Sequence, residues 1–370
     1  MKIKLIDICS PKQWKTIPTD ELLDDGYPVY GANGLIGYSN VYNHKDSVIA
    51  ITCRGASCGS VNITPPFSYV TGNAMCLDEV KHNIDINYLY YFLKNYNFKN
   101  IISGSAQPQI TRQGLNKVYV RYYSSTKQKQ IVSRLKCIST IIELKKIELN
   151  KFDDLIKARF IEMFGDVREN SNEFEIVQFN DIVEYMGDIG SNGANKVVVN
   201  HLDMKDEEDY AIMVRFTNFT KNDFKNDVKY ISKDAYDFFK KSQIFGGELI
   251  VCKIGSAGQN YVMPYLNRPV SLGLNQIMIR IKDTILMPYL YQYLHTDYGE
   301  FLISGCINGA VTKTITKTEL KKIPILLPPM EFQQEFADFV EQVDKSREAV
   351  KKSLEKTQQL YDSLMQEYFG

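Results

Sequence analysis

The 370-residue chain has no run of 18 or more apolar residues, and its opening, MKIKLIDICS, is charged where a secretory leader would be apolar. The expectation is a cytoplasmic protein without membrane contact. Histidine is scarce at four residues, and the seven cysteines are an odd number scattered through strand-like segments. Cys53 and Cys58, the one close pair, lack the two-pair spacing of a zinc site. No metal site is expected, and the cysteines read as reduced packing residues. The sequence Gly-x4-Gly-Lys-Ser/Thr is missing, which leaves ATP hydrolysis without a phosphate loop. Neither sign of charge is in excess, since 44 Lys and Arg balance 44 Asp and Glu. A chain that gripped nucleic acid alone would carry a clearer basic surplus. The balance is uneven, with 12 basic against 9 acidic residues over 1–125 and 5 against 9 over 329–370. The acids DEED at 206–209 lie in a hydrophilic stretch and read as a solvated loop rather than a metal site.

What the chain does have is a repeat. SGSAQPQIT at 103–111 is answered by SGCINGAVTKTIT at 304–316, with the same Ser-Gly opening, the same Ile-Thr ending and four extra residues between. From Thr111 and Thr316 onward the copies run without a gap at an offset of 205, pairing Leu115 with Leu320 and Gln128 with Gln333. Upstream, YLYYFL at 88–93 answers YLYQYL at 289–294, IAITCRGASCG at 49–59 answers LIVCKIGSAG at 249–258, and KLIDI at 4–8 answers QFNDI at 178–182. A period this long makes the chain two copies of one unit.

Each copy has a β-like front, with Val/Ile runs and glycine turns, and a helical back. One short helix is expected in each front, over 86–97 and 287–295. A 4,3,4,3 step from Ile131 gives the seam Ile131, Leu135, Ile138, Ile142, Lys145, Leu149, Phe152, Ile156, Arg159 and Met163, apolar at eight of ten positions. In the second copy the seam is Phe336, Val340, Val343, Arg347, Val350, Leu354, Thr357, Tyr361, Leu364 and Tyr368, again apolar at eight of ten. Such a helix exposes its seam unless partnered, and the other copy supplies the partner. The expected fold is α+β: two β-rich domains joined by two long antiparallel coiled-coil helices, an internal pseudo-two-fold repeat with the domains at opposite ends of a rod. The competing arrangement packs both copies side by side as one enzyme core.

The order of segments resembles the specificity subunit of type I restriction-modification systems over essentially the whole chain. The resemblance rests on YPVYGANGLIGY at 27–38, the glycine-interrupted strand with Gly55 and Gly59, VTGNAM at 70–75, the SGSAQPQIT loop, KQKQIVSRL at 127–135 and ARFIEMFGD at 158–166. In the second copy it rests on IPILLPPMEFQQEF at 323–336 and SLMQEYFG at 363–370. Two departures are visible: YYSST stands where the second copy has the proline pair of LLPPM, and YGANG has no clear counterpart in the second half.

The resemblance implies target recognition domains at 1–125 and 173–328, and spacer helices at 126–172 and 329–370. Each recognition domain would read one half of a bipartite double-stranded DNA sequence. The helices would set the spacing and dock two methyltransferase subunits, with restriction and translocase subunits joining through the complex. Catalysis and cofactors would then belong to the partners. In keeping with that, the nearest approach to an Asn/Asp-Pro-Pro-aromatic methyltransferase motif is TPPF at 64–67, which lacks the amide or acid and reads as a strand-end turn. The alternative is a specificity module of another phage-defence methylase, or a DNA-binding adaptor outside restriction. For DNA contact, Gln107, Gln109, Thr111 and Arg112 in the first loop and Asn308, Thr312, Lys313, Thr314 and Lys317 in the second carry groups suited to base edges or phosphates. Thr111 and Thr316 also suit helix N-caps. Arg54 and Lys253, before the glycine of the shared strand, and Tyr30 and Asn33 in the YGANG turn complete the set.

Overall fold

The uncharged runs IAIT and LIVC form the fully buried strands Ile49–Thr52 and Leu249–Cys252, each with neighbours on both sides. In the computed structural model, which describes residues 1–31, 34–104 and 107–370, these strands centre two units. One unit is Met1–Ile147 with Val350–Gly370, and the other is Glu148–Ala349. The first central sheet orders Ser10–Lys12, Ala74–Asp78, Ile49–Thr52 and Val61–Ile63, all antiparallel. The second orders Val183–Gly187, Gln276–Ile281, Leu249–Cys252 and Asn260–Val262 in the same sense.

Each unit adds a second sheet, and here the copies part. The first carries Gly34–Ser39, Tyr27–Gly31 and Tyr69–Val70. The second carries Lys229–Ile231, Ala211–Val214, Val270–Leu272 and Gln243–Ile244. Within these, Tyr27–Gly31 lies parallel to Tyr69–Val70 as Ala211–Val214 lies parallel to Val270–Leu272. The strand Tyr27–Gly31, which ends in the first two residues of YGANG, thus has a counterpart in Ala211–Val214, while Ala32 and Asn33 lie outside the described residues. Sequence comparison misses it because only the backbone pairing is shared: Gly34–Ser39 follows one strand and the helix Phe216–Thr220 the other.

The short helices are Ile86–Asn95 and Met287–Leu294. The long ones are Ser125–Phe164 and Met330–Phe369, 40 residues each. All twenty expected seam positions are buried or half-buried. In the first unit Ile131 and Leu135 share a core with Met365 and Tyr368, and Lys145 Nζ donates to Ser353 Oγ at 2.7 Å. In the second, Ile156, Phe160 and Phe164 share a core with Phe336 and Val343, while Arg159 reaches Glu335 and Arg347 reaches Asp153, both at 2.6 Å. In both units the helices run antiparallel, and the basic residues that interrupt the seam find partners across it. No helix among the described residues is long and apolar enough to cross a membrane.

The root of each long helix is built the same way. Gln128, 0% exposed, accepts the Asp85 N–H at 2.8 Å and donates to the carbonyls of Asn83 (3.1 Å) and Tyr123 (2.8 Å). Gln333, 1% exposed, accepts the Leu286 N–H at 2.9 Å and donates to the carbonyls of Thr284 (3.3 Å) and Pro328 (2.8 Å). Beside them the hydroxyl of Tyr88 donates to the Arg121 carbonyl at 2.6 Å and that of Tyr289 to the Leu326 carbonyl at 2.9 Å. The far end of the opposite helix closes each root: Phe369 lies 5.4 Å from Tyr88, and Phe164 4.8 Å from Tyr289, between ring centres. Replacing Gln128 or Gln333 by Ala orphans buried backbone groups, so each substitution is expected to lower stability by about 1–3 kcal/mol in denaturant titration. Losses below a few tenths at either site would show that the glutamines are not what holds the helices to their sheets.

Candidate nucleic-acid interface

Each loop is bound to the end of its central strand through backbone groups. In the first unit Ile102–Ser103 pairs with Gln109–Ile110, Ile110 N–H donates to the Cys53 carbonyl at 3.0 Å and Gly55 N–H to that of Pro108 at 3.3 Å. In the second, Ile307–Asn308 pairs with Thr314–Ile315, Ile315 N–H donates to the Lys253 carbonyl at 3.0 Å and Gly255 N–H to that of Lys313 at 3.1 Å. Gly55 and Gly255 both sit at φ 86° with open space where a Cβ would stand, so backbone conformation alone requires glycine there.

This register corrects two expectations. Ser103 pairs with Gln109 and Asn308 with Thr314, so the second loop's equivalent of Ser103-Gly104 is Asn308-Gly309, not Ser304-Gly305. The loops therefore have equal length, and the four extra residues belong upstream, where the helix Asp297–Gly305 ends in that second Ser-Gly. Likewise the partner of Lys253 in the first copy is Cys53, and Arg54 answers Ile254, which bridges Thr314 as Arg54 bridges Gln109. Arg54 adjoins its glycine, whereas Lys253 stands one residue further back.

The side chains divide by what they touch. Thr111 Oγ1 accepts the Gly114 N–H at 3.1 Å and Thr316 Oγ1 the Glu319 N–H at 3.2 Å, so both hydroxyls cap the helices Arg112–Leu115 and Lys317–Leu320. Gln107, Arg54, Arg112, Thr312 and Lys313 are exposed, and among the described residues their side chains make no hydrogen bond or ion pair. Asn308 is exposed and donates to the Cys306 carbonyl, while Gln109 is half-buried in its strand. Thr314 is half-buried too, and its hydroxyl donates to the Asn308 carbonyl at 3.4 Å. Tyr30 is half-buried against Val48, Ala50, Val70, Ala74 and Cys76, in the sheet away from the loop. Asn33 lies outside the described residues.

Lys253 and Lys317 converge on a carboxylate absent from the expected set. Lys253 Nζ lies 2.7 Å from Asp188 Oδ2, and Lys317 Nζ lies 3.0 Å from Asp188 Oδ1 and 3.1 Å from Ser191 Oγ. Asp188 is 7% exposed. Burial pushes its carboxyl up, but hydrogen bonds from Lys253, Lys317 and Ser191 outweigh that and hold it down at about 2. As for metals, His44, Cys76 and Asp78 bring three ligand atoms within 4.8 Å of one another. Two of them are already engaged, since His44 Nε2 lies 3.0 Å from Asp78 Oδ1 and Trp14 Nε1 donates to Asp78 Oδ2, and burial pushes the Cys76 thiol far up. Three of the four DEED acids are engaged by cations, Asp206 by Lys229, Glu208 by Arg268 and Asp209 by Lys205.

Residues 1–152 and 172–359 match the family model of the type I restriction modification DNA specificity domain. The chain belongs to this family. A Haemophilus influenzae protein named as a type I restriction enzyme specificity subunit is 19% identical over 360 residues, 94% of this chain and 89% of that one. The EcoprrI specificity subunit of Escherichia coli is 33% identical over 82 residues, 22% of this chain and 20% of the relative. The fold is that of the type I restriction-modification S subunit from M. genitalium, with a TM-score of 0.61 and 14% identity over 100% of this chain and 96% of that one. A chain from a type I complex solved to describe assembly and conformational transition aligns with a TM-score of 0.59 and 13% identity, covering 100% and 97%.

For a member of the specificity family, the residue the sequence did not point to is Asp188. A bulge between Val183 and Tyr185 shifts the second copy by one residue relative to the first, which hides its counterpart. Because its folded pKa lies below the unfolded value, Asp188 stabilises the protein fully above the ordinary carboxylate range and loses that contribution as pH falls toward about 2. Asp188→Asn is therefore expected to unfold more easily than the parent at pH 7, by about 2 kcal/mol. The gap should close between about pH 4 and pH 2, read by denaturant unfolding at each pH. A gap that stays constant would show that the carboxylate charge is not what matters.

Proposed function

We propose that the chain is the non-catalytic sequence-reading subunit of a type I restriction-modification complex, with residues 1–125 reading one half of a bipartite double-stranded target and residues 173–328 the other. Residues 126–172 and 329–370 hold the readers apart and dock two methyltransferase subunits, through which restriction subunits join. The observation that carries this reading is the duplicated loop: two loops of equal length, anchored by the same backbone hydrogen bonds, offer different side chains in a chain of the specificity family. Exposed Gln107 and Arg112 on the first loop suit adenine and guanine edges or phosphates, and Thr312 and Lys313 on the second suit other partners. The chain carries no net charge, so it releases few counterions by itself, and methyltransferase subunits supply further phosphate contacts.

The test is to express the chain with the methyltransferase subunits of its host, isolate the complex and map methylated adenines. Two different short half-sites separated by unread base pairs are expected. A continuous palindrome, or a lone chain that binds S-adenosylmethionine stoichiometrically in calorimetry, would overturn the reading. Within the complex, Gln107→Ala or Arg112→Ala should weaken recognition at the first half-site by about 1–3 kcal/mol per lost bidentate contact and leave the second unchanged. Binding to a duplex library randomised at both half-sites measures this, with thermal melting as the control. Equal loss at both half-sites would contradict the assignment of one loop to one half.

A further inference from the structure

The roots of the two reading loops are the same place in the fold with opposite electrostatics. Lys12 pairs with Cys76, and Gly187 with Met278; Cys76 and Met278 each pair with the second residue of the central strand, Ala50 and Ile250. The residues that follow Lys12 and Gly187, Gln13 and Asp188, therefore occupy one position. Gln13 Nε2 donates to the Gly72 carbonyl at 2.8 Å and contacts Cys53 Sγ at 3.0 Å. Asp188 instead contacts Lys253, the residue equivalent to Cys53, and Lys317, the residue equivalent to Arg112. The first root is neutral and leaves Arg112 free among the described residues. The second ties two lysines to one buried carboxylate, leaving one net positive charge.

Resting on the reading of the loops as the DNA face, we propose that Asp188 is a specificity-determining positioning residue for the second half-site. It holds the Lys253 and Lys317 ammonium groups at fixed points beside the strand Thr314–Ile315, and removes one of their two charges. Two untethered lysines on flexible stems would grip any phosphate. Tethered and half-neutralised, they discriminate among base edges, where a guanine offers paired acceptors. The first half-site has no such device: its cation is the Arg112 guanidinium, free among the described residues, and the position of Asp188 is taken by the neutral Gln13.

The test uses the full chain in its complex with methyltransferase subunits, selecting from a duplex library randomised at both half-sites across a salt series. In Asp188→Asn, discrimination at bases of the second half-site is expected to fall by about 5- to 150-fold, the range set by one good base contact. The slope of log affinity against log salt should steepen by about 0.9, one additional phosphate contact, with the first half-site unchanged. Asp188→Glu keeps the charge and should restore the parent's slope. In a Lys253→Met, Lys317→Met background, Asp188→Asn should have no further effect on base preference, because Asp188 acts through those lysines. Lys313→Ala, an exposed loop residue outside the triad, separates the two ways of failing. If Lys313→Ala alters binding at the second half-site while Asp188→Asn shifts only the melting temperature, the carboxylate is a stability element and the proposal fails. If neither variant alters base preference or salt slope, the loop is not a DNA face and the proposal falls with that reading.

Discussion

A glutamine side chain buried at the first turn of each long helix is the interaction on which the rest of the architecture depends. Gln128 and Gln333 each join three backbone groups from two segments, the turn ahead of the short helix and the end of the strand that leads into the long one. A buried amide with all three partners fixes direction as well as position, because no rotation of the helix preserves all three bonds. With the direction set, the seam faces the returning helix. A 40-residue amphipathic helix lacking that partner would expose Ile131, Leu135 and Ile142 in one copy and Phe336 and Val343 in the other, all now buried. Each root is completed by aromatic residues from the end of the other copy's helix, Phe369 against Tyr88 and Phe164 against Tyr289. Neither copy holds its own core complete, which is the physical reason for finding both in one chain.

The zero net charge hides a division of labour among the cations. Many are spent within the protein: Arg159 and Arg347 across the helix seam, Arg268 and Lys229 on the DEED segment, Lys253 and Lys317 on Asp188. The buried carboxylate is the costly member of that last group, since desolvation alone would favour its neutral form, and only two ammonium groups and a hydroxyl reverse the balance. The exposed cations left at the loops, Arg54, Arg112 and Lys313, are few.

Much of this was legible in the sequence because the repeat made most signals appear twice. The short helices fall within two residues of their expected ends, and the seam register holds at every position, since both depend on local periodicity. Three things were not legible. The Ser-Gly at 304–305 imitated the opening of the first loop but ends a helix instead, because sequence identity over two small residues carries no register. Ala211–Val214 shares pairing but no side chains with Tyr27–Gly31, so a fully buried run answered a half-exposed one unnoticed. Gln13 and Asp188 are equivalent only through a bulge and differ in chemistry. In each case strand pairing decides, and pairing is a long-range property that no window of sequence contains.

The two loops show how such a frame can vary the side chains it presents without being rebuilt. Their anchors are main-chain groups: the amides of Gly55 and Ile110 in one, those of Gly255 and Ile315 in the other, with a threonine hydroxyl capping the helix just beyond. Backbone bonds ask nothing of the intervening side chains, so Gln107 can stand where the other copy has Thr312, and Pro108 where it has Lys313. Gly104 and Gly309 share a positive φ, 86° and 98°, and a Cβ on either would strike the carbonyl three residues on. Among the described residues of the tip, that glycine is the one the turn itself demands. The other described tip residues differ between the copies, Gln107 and Pro108 against Thr312 and Lys313, whereas the acid at position 188 is held ionised by the cations at 253 and 317. A change of side chain at the tip is thus a single substitution, while the root couples residue 188 to 253 and 317 through one shared set of hydrogen bonds.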